Sequence, residues 1–542
     1  MSSGSRLVLP IIFSTLMVLA GCGGNSVSIA KPVAPPSGKF SNSNLSGTYV
    51  FSVSGIDVNG APYSVLGSFT ANGSGGNGPG GITGGTLDMN DADLSAPVAN
   101  ASIASNSTYT VGIDGRGRAR LNTSTPLGTI NLDFVLADSS HGLVTEFDTK
   151  ATGSGTIDFQ TAGTSPAGSY AFILTGADVS NSTASLFATV GNFTLGSGGA
   201  ITAGIEDFNE NGFTYADQTL TGNVVLGPAA APATTLTTQQ FGTLTYDVYA
   251  INATHLKFIE MDPSGTLLGD AYSQSSTTIP AASFAFTLAG SFPGANSDSV
   301  AGGFIVTDGN GNITNASTED ANNTGTVSPS PIIFTGTYTA AGNGRFTLGN
   351  LSGFSEGSAY AAYPSSGGLL LLEIDNSGIM VGAAYQQTPG AAFAASQGYA
   401  LNLSGVNLGA STGFAAEVDD IAEFTANSSG STVTGAIDEN ASGSPAFGVA
   451  LSGTYGVLAN GRGQIGANTG NNSNSTLNGG FNLTFYTVDG KTFPFIETDN
   501  GQVASGVFVT QNPTASSSAL AQSRMFLVQP LVRPSGAHWQ RK

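Results

Sequence analysis

Phe258-Ile-Glu260-Met-Asp262 has three counterparts in the chain: Val144-Thr-Glu146-Phe-Asp148, Leu371-Leu-Glu373-Ile-Asp375 and Phe495-Ile-Glu497-Thr-Asp499. Each copy is an apolar run ending in Glu-x-Asp, and the glutamates are spaced by 114, 113 and 124 residues. The spacing divides the chain into four tandem repeats of about 115 residues, a size that buries its own core without metals or disulfides.

Working outward, the first repeat parses into eight runs separated by Gly, Asn, Asp or Pro. These are Thr48–Ser54, Tyr63–Ala71, Gly81–Met89, Thr108–Ile113, Arg118–Thr123, Thr129–Ala137, Leu143–Asp148 and Thr156–Phe159. Tyr49, Phe51 and Val53 alternate onto one face, as do Ile130, Leu132, Phe134 and Leu136. The other repeats carry the same landmarks. An aromatic with Gly six residues later opens each one (Tyr49/Gly55, Tyr170/Gly176, Phe284/Gly290, Tyr399/Gly405), and an Asp-x-Asn patch recurs at Asp88, Asp207, Asp320 and Asp438. A Gly-Arg turn recurs at Arg116, Arg345 and Arg462 but not in the second repeat, and the repeats end near Gln160, Gln274, Gln386 and Gln511.

Eight short strands with hairpin-length links predict an all-β antiparallel meander, and closing it removes the exposed edges. Each repeat is expected to be a small lipocalin-like up-and-down barrel, with a β-sandwich as the alternative. The likeness to lipocalins is architectural, because no signature motif of that family is present.

Charged residues are 9% of the chain and Gly is 76 of 542, which disfavours long exposed helices. The net charge of −20 sets the folded part against nucleic acid and anionic lipid surfaces. A single cysteine excludes an internal disulfide framework and a Cys-based zinc site.

That cysteine closes an export signal over residues 1–22, with Arg6 at its positive end, the apolar stretch Leu7–Leu19, and Leu19-Ala20-Gly21-Cys22. The last four residues resemble the lipobox of bacterial lipoproteins, in which a peptidase cuts before the cysteine and its thiol carries diacylglycerol. The resemblance implies lipidation (palmitate included) at Cys22 and a membrane partner through that anchor. An Asp after the cysteine favours inner-membrane retention in that family; Gly23 stands here, so an outer-membrane or cell-surface placement is expected. The repeats are similar to Gly-rich repeats of bacterial envelope lipoproteins, a resemblance to which no activity is attached.

The full division is a signal peptide at 1–22, a flexible tether at 23–44, β repeats at 45–160, 161–275, 276–390 and 391–511, and a basic tail at 512–542. The tail holds Arg533, His538, Arg541, Lys542 and the single Trp, Trp539.

The most specific internal signal is Glu-x-Asp itself. Two carboxylates at i and i+2 on a strand share a face about 7 Å apart, so either the face is wet or a positive group lies between them. The Gly-Arg turn supplies one counter-charge, but the second repeat has only Lys257. A hard cation such as Ca²⁺ is the other candidate, with Glu146, Asp148, Glu260, Asp262, Glu373, Asp375, Glu497 and Asp499 as metal ligands. The bland reading is that these groups cap turns. Asp308-Gly-Asn310-Gly-Asn312 looks like a Ca²⁺ loop but has Ile313 where an EF-hand needs Gly; a hairpin fits better.

Catalytic signals are weak. Gly353-Phe-Ser355-Glu-Gly357 matches G-x-S-x-G, yet no helix is expected after it, as that motif requires. His141, His255 and His538 have no metal-ligand spacing, and surface or rim positions are expected for the first two. Repetition favours binding or building over turnover. The expectation is a surface-anchored protein, not an enzyme, with a structural, adhesive or matrix-contact role toward extracellular matrix or an envelope polymer and no cofactor. A small-ligand or Ca²⁺-binding barrel is the alternative, and an enzyme acting on an extracellular polymer a remote one.

Overall fold

Runs of alternating apolar and polar residues cut by Gly and Asn make strands and little else; among the described residues the helical content is four 3₁₀ turns of three residues. The computed structural model describes residues 29–515, apart from 75–77, 124–127, 162, 164, 181–183, 228–232, 275, 293–296, 409–415 and 471–479. Cys22 and the tail from 516 onward lie outside the described residues.

The chain is all-β, in four consecutive antiparallel sheets. The first runs as a meander from Ser46–Asp57 to Ala151–Phe159, and these two strands pair with each other to close a barrel. The expected strands are all present, within a few residues. Val98–Ile103 was not foreseen: it pairs beside Gly80–Asp91, outside the closed ring of strands. The third repeat closes in the same way, and the fourth is a closed barrel of eight strands. The second is closed less regularly, by backbone hydrogen bonds from Leu220 to Gly204 and from Val224 to Gly199. The barrel expectation holds over the sandwich.

The landmark glycines explain the closure. A Cβ at Gly290 would lie 1.8 Å from the Ile379 carbonyl oxygen, and one at Gly405 would lie 2.2 Å from that of Val503. Only a bare Cα lets the first strand of the barrel approach the last this closely.

Each barrel is filled by its own side chains. In the fourth, Phe393, Tyr399, Phe424, Phe485, Phe493 and Phe508 pack together, with Phe493 and Phe508 at 4.8 Å between ring centroids. The landmark aromatics Tyr49, Tyr170, Phe284 and Tyr399 all lie in these interiors.

The barrels are not beads on a string. Val50 and Leu66 of the first pack on Tyr249, Ile251, Ile259 and Leu268 of the second. Ala188 and Val190 of the second meet Tyr363, Leu370 and Leu372 of the third. Ala289 and Val300 of the third meet Val406, Ile496 and Val503 of the fourth. Ala400, Ile421, Val507 and Val509 of the fourth then meet Val135, Ala137 and Leu143 of the first. The array closes into a ring.

Candidate functional site

The four Glu-x-Asp segments do not place both acids on one strand face. Each strand ends at the glutamate, at Glu146, Glu260, Glu373 or Glu497. The glutamate continues the inward face of Val144, Phe258, Leu371 or Phe495, and its side chain is buried. The aspartate lies past the strand and caps a turn. Asp148 accepts from the Lys150 amide, Asp262 from Thr245, Asp375 from Ser358 and Ser377, and Asp499 from Asn482 and Gly501. The turn-capping reading therefore describes the aspartates. The shared-face expectation is corrected: the residues after each Glu form a turn, which ends the period-two alternation.

Inside, each glutamate meets few hydrogen-bond donors. Glu146 accepts a hydrogen bond from Tyr63 at 2.6 Å, Glu260 from the Leu267 amide at 3.0 Å and Glu373 from Ser377. Burial pushes the carboxyls of Glu146 and Glu260 up to about 8 and that of Glu373 up to about 9, and it holds Glu497 well above the ordinary range. At these values Glu146, Glu260 and Glu373 favour the protonated form near neutral pH. Among the described residues, no group of three or more His, Cys, Asp or Glu side chains is placed to hold a metal ion.

The Asp-x-Asn patch works between barrels. Asn90 of the first donates to the carbonyl oxygens of Glu260, Asp262 and Gly265 of the second at 2.9, 2.8 and 2.6 Å. Asn209 reaches Glu373 and Gly378 of the third, and Asn322 reaches Glu497, Asp499 and Gln502 of the fourth. Asn440 closes the cycle on Glu146, Asp148 and Ala151 of the first. The repeated Glu-x-Asp thus serves its neighbour through main-chain carbonyls, not carboxylates. The terminal glutamines add a second stitch. Gln160 donates to Ala250, Gln274 to Pro364, Gln387 to Thr487, and Gln511 to Asp114 and Leu136. In the third repeat the working residue is Gln387, one past the expected Gln386.

The arginines of the Gly-Arg turns also find partners across the seams rather than at Glu-x-Asp. Arg345 grips Asp207 of the preceding barrel with two hydrogen bonds at 2.8 and 2.7 Å, and Tyr363 donates to the same carboxylate. Arg462 and Tyr486 hold Asp320 in the same way, and Arg116 reaches Asp438 at 2.7 Å. The second repeat lacks the arginine. Across that seam its Tyr249 donates to Asp88, which also accepts from the Asn100 amide of its own barrel, and burial pushes that carboxyl up to about 7.

His141 and His255 are buried, against expectation. His141 pairs with Asp158 at 2.7 Å, and His255 with Asp270 at 2.6 Å while stacking on Tyr272. Lys257 bonds Asp270 at 2.8 Å and reaches toward Asp158 of the first barrel at 3.8 Å. Burial raises the Asp158 carboxyl, but His141 and Lys257 outweigh it, so the group sits below the ordinary range.

The serine motif is a plug. Phe354 packs against Phe286, Phe334 and Tyr360 in the third barrel, and a strand, Tyr360–Ser365, follows it. Glu356 accepts from Ser299 at 3.0 Å and Glu319 from the Ser355 amide at 2.9 Å, both buried, with Glu356 beside Glu373. Asp308 caps its own hairpin by accepting from Asn310 and Asn312, as a turn residue would.

The seam between the fourth and first barrels differs from the rest. Glu417, Asp419 and Glu423 lie buried along the face that also carries Ile421 into the seam. Burial pushes Asp419 up to about 7 and Glu423 up to about 8. The second barrel has Leu186, Ala188, Val190 and Asn192 along its corresponding face. Residues 29–44, expected as free tether, lie on this seam as well. Ala30 donates to Gly448, Ser37 to Gln511, and Phe40 is buried in the first core. A cleft of about 320 Å³ opens there, lined by Pro32, Val111, Arg116, Arg118 and Phe447 among others.

No protein-family model matches the chain, and no curated protein matches it. Among solved structures it is similar to transferrin binding protein B from serogroup B Neisseria meningitidis, at 12% identity and a TM-score of 0.20, over 69% of this chain and 84% of that one. It is also similar to kievitone hydratase from Nectria haematococca, at 10% identity and a TM-score of 0.15, over 67% and 94%. Similarity at this level bears on neither a partner nor a reaction of this chain. Among the described residues no helix is long and apolar enough to cross a membrane.

Proposed function

We propose that this is a lipid-anchored protein of the bacterial cell envelope, held at Cys22, whose four barrels form one rigid, non-catalytic ring with a structural, adhesive or matrix-contact role. One observation carries the reading: the asparagine and the terminal glutamine repeated in every unit are spent on its neighbour. The Asn stitch occurs at all four seams, including the one that joins the last barrel to the first. Repetition here builds a closed scaffold, and a scaffold with many outward loops gains from presenting several weak contacts at once. The carboxylate, serine and tyrosine groups that gather in the third barrel are enclosed by its core, which suits packing more than turnover.

The test is a deletion strain complemented with the full chain or with Cys22→Ser. The proposal expects loss of surface adhesion or envelope integrity on deletion, recovery with the full chain, and none with Cys22→Ser. A deletion strain indistinguishable from its parent in both assays would count against the role.

A further inference from the structure

Nine large apolar side chains are exposed among the described residues, and four of them surround one place. Phe447 lines the cleft at the seam between the fourth and first barrels and is 46% exposed. Ile113, at 41%, lies between the lining residues Gly112 and Asp114, and Val33, at 62%, follows the lining residue Pro32. Ile29, at 60%, bridges to Val449 on the Phe447 strand. An apolar group of this kind on a soluble surface marks a contact.

The charge around it is unlike that of the whole molecule. The chain carries −20 overall with only 15 Lys and Arg. Yet Lys31, Lys39, Arg118 and Arg120 are all exposed on the tether and strand that border the cleft. The nearby acids are buried and already engaged: Asp133 with Arg118, and Asp114 and Asp438 with Arg116. Among the described residues Lys31, Lys39 and Arg120 make no ion pair. Arg118 stacks over Phe147 and Phe447 at 4.9 and 5.2 Å, which couples the basic and apolar parts.

We propose that this face rests on the lipid surface, with Phe447, Ile113, Val33 and Ile29 entering the interface and Lys31, Lys39 and Arg120 meeting the headgroups. The proposal rests on the anchor reading for its orientation. Ile29 is seven residues from Cys22, so an extended link spans at most about 25 Å. A lipid at Cys22 therefore holds this face, rather than the far side of the ring, within reach of the bilayer. Apolar side chains ringed by cations are the composition that binds in the headgroup region. The overall acidity leaves the remaining surface facing outward.

The experiment uses the mature chain, residues 22–542 with Cys22→Ser, and flotation on vesicles of phosphatidylethanolamine and phosphatidylglycerol. Flotation is expected, reduced about tenfold in affinity by Phe447→Asp or Val33→Asp, and unchanged by Phe213→Asp, an exposed phenylalanine on the second barrel. Lys31→Glu with Lys39→Glu is expected to weaken binding about fivefold or more on these vesicles, and less on phosphatidylcholine. No flotation, or flotation indifferent to Phe447 and Val33, overturns the proposal. So does a dimer in sedimentation velocity that Phe447→Asp abolishes without vesicles, since the face would then belong to a second copy. The mass of Cys22 in the membrane-extracted protein tests the anchor separately. Lipid at Cys22 without flotation rejects this face alone, and flotation without lipid rejects the anchor alone.

Discussion

Asn440 and Glu146 stand 294 positions apart, and the side-chain amide of the first donates to the carbonyl oxygen of the second at 2.7 Å. That bond belongs to the stitch that turns a linear array of barrels into a ring. Asn440→Ala removes the donor from three carbonyl oxygens, two of them buried, and is expected to weaken the seam by about 3 kcal/mol. The barrels should stay folded. Small-angle scattering should show a larger radius of gyration, with faster amide exchange at Val507 and Val509. An unchanged radius and exchange pattern would show that apolar packing closes the ring unaided.

Arg345 and Asp207 form a buried pair at 2.7 Å across the second seam. Arg345→Met strands a buried carboxylate and should cost about 3–5 kcal/mol. Arg345→Met with Asp207→Asn should recover most of that loss, since the uncompensated charge is gone. Urea denaturation of the two variants checks it; equal losses would mean that the cost is packing, not charge.

The inward glutamates make stability fall with pH. Burial raises Glu146 and Glu260 to about 8 and Glu373 to about 9 in the folded protein, above their unfolded value of about 4.3. The folded state therefore binds the extra protons, and the stabilisation is full below about pH 4 and lost as pH rises through 8 and 9. The melting temperature should decline steadily between pH 5 and pH 9. Glu373→Gln should flatten the decline and raise the melting temperature at pH 9. A melting temperature that rises over this interval would contradict the assignment.

Asp262 accepts from the Thr245 amide at 2.5 Å while Glu260 turns into the barrel. In the second repeat the two carboxylates therefore take separate partners, whereas Ser377 joins Glu373 to Asp375 in the third and Glu497 lies beside Asp499 in the fourth. Millimolar Ca²⁺ added after EDTA should leave the unfolding midpoint unchanged, and Glu260→Gln with Asp262→Asn should not alter that response. An upward shift that the double variant abolishes would restore the cation reading.

Phe354 packs 4.8 Å from Phe334 between ring centroids. Phe354→Ala should destabilise the third barrel by about 3 kcal/mol. Ser355→Ala should leave hydrolysis of a p-nitrophenyl ester at the uncatalysed rate, unchanged from the parent. Ester hydrolysis that disappears with Ser355→Ala would reinstate the serine motif.

By itself the sequence determined the number of repeats, the all-β class and, Val98–Ile103 apart, the strands of the first barrel. Those features are local: Gly and Asn punctuate them, and alternation such as Tyr49, Phe51 and Val53 declares an inward face. It also exposed the right residues, since Asp-x-Asn, Gly-Arg and the terminal glutamines were all visible as repeats. It left their partners open. Asp207 and Arg345 are 138 positions apart, and no spacing rule brings them together. One signal for the ring was legible. Phe258-Ile259, Leu369–Leu372 and Phe495-Ile496 are unbroken apolar runs, which a strand needs only when both faces are buried. Whether the second face met a neighbour, and which one, only the tertiary structure decided. The side chain of Glu260 went into the barrel and its carbonyl to Asn90 because a turn begins right after the strand. Sequence period fixes which residues share a face; the partner of the outer face is set by how four closed barrels pack around a ring.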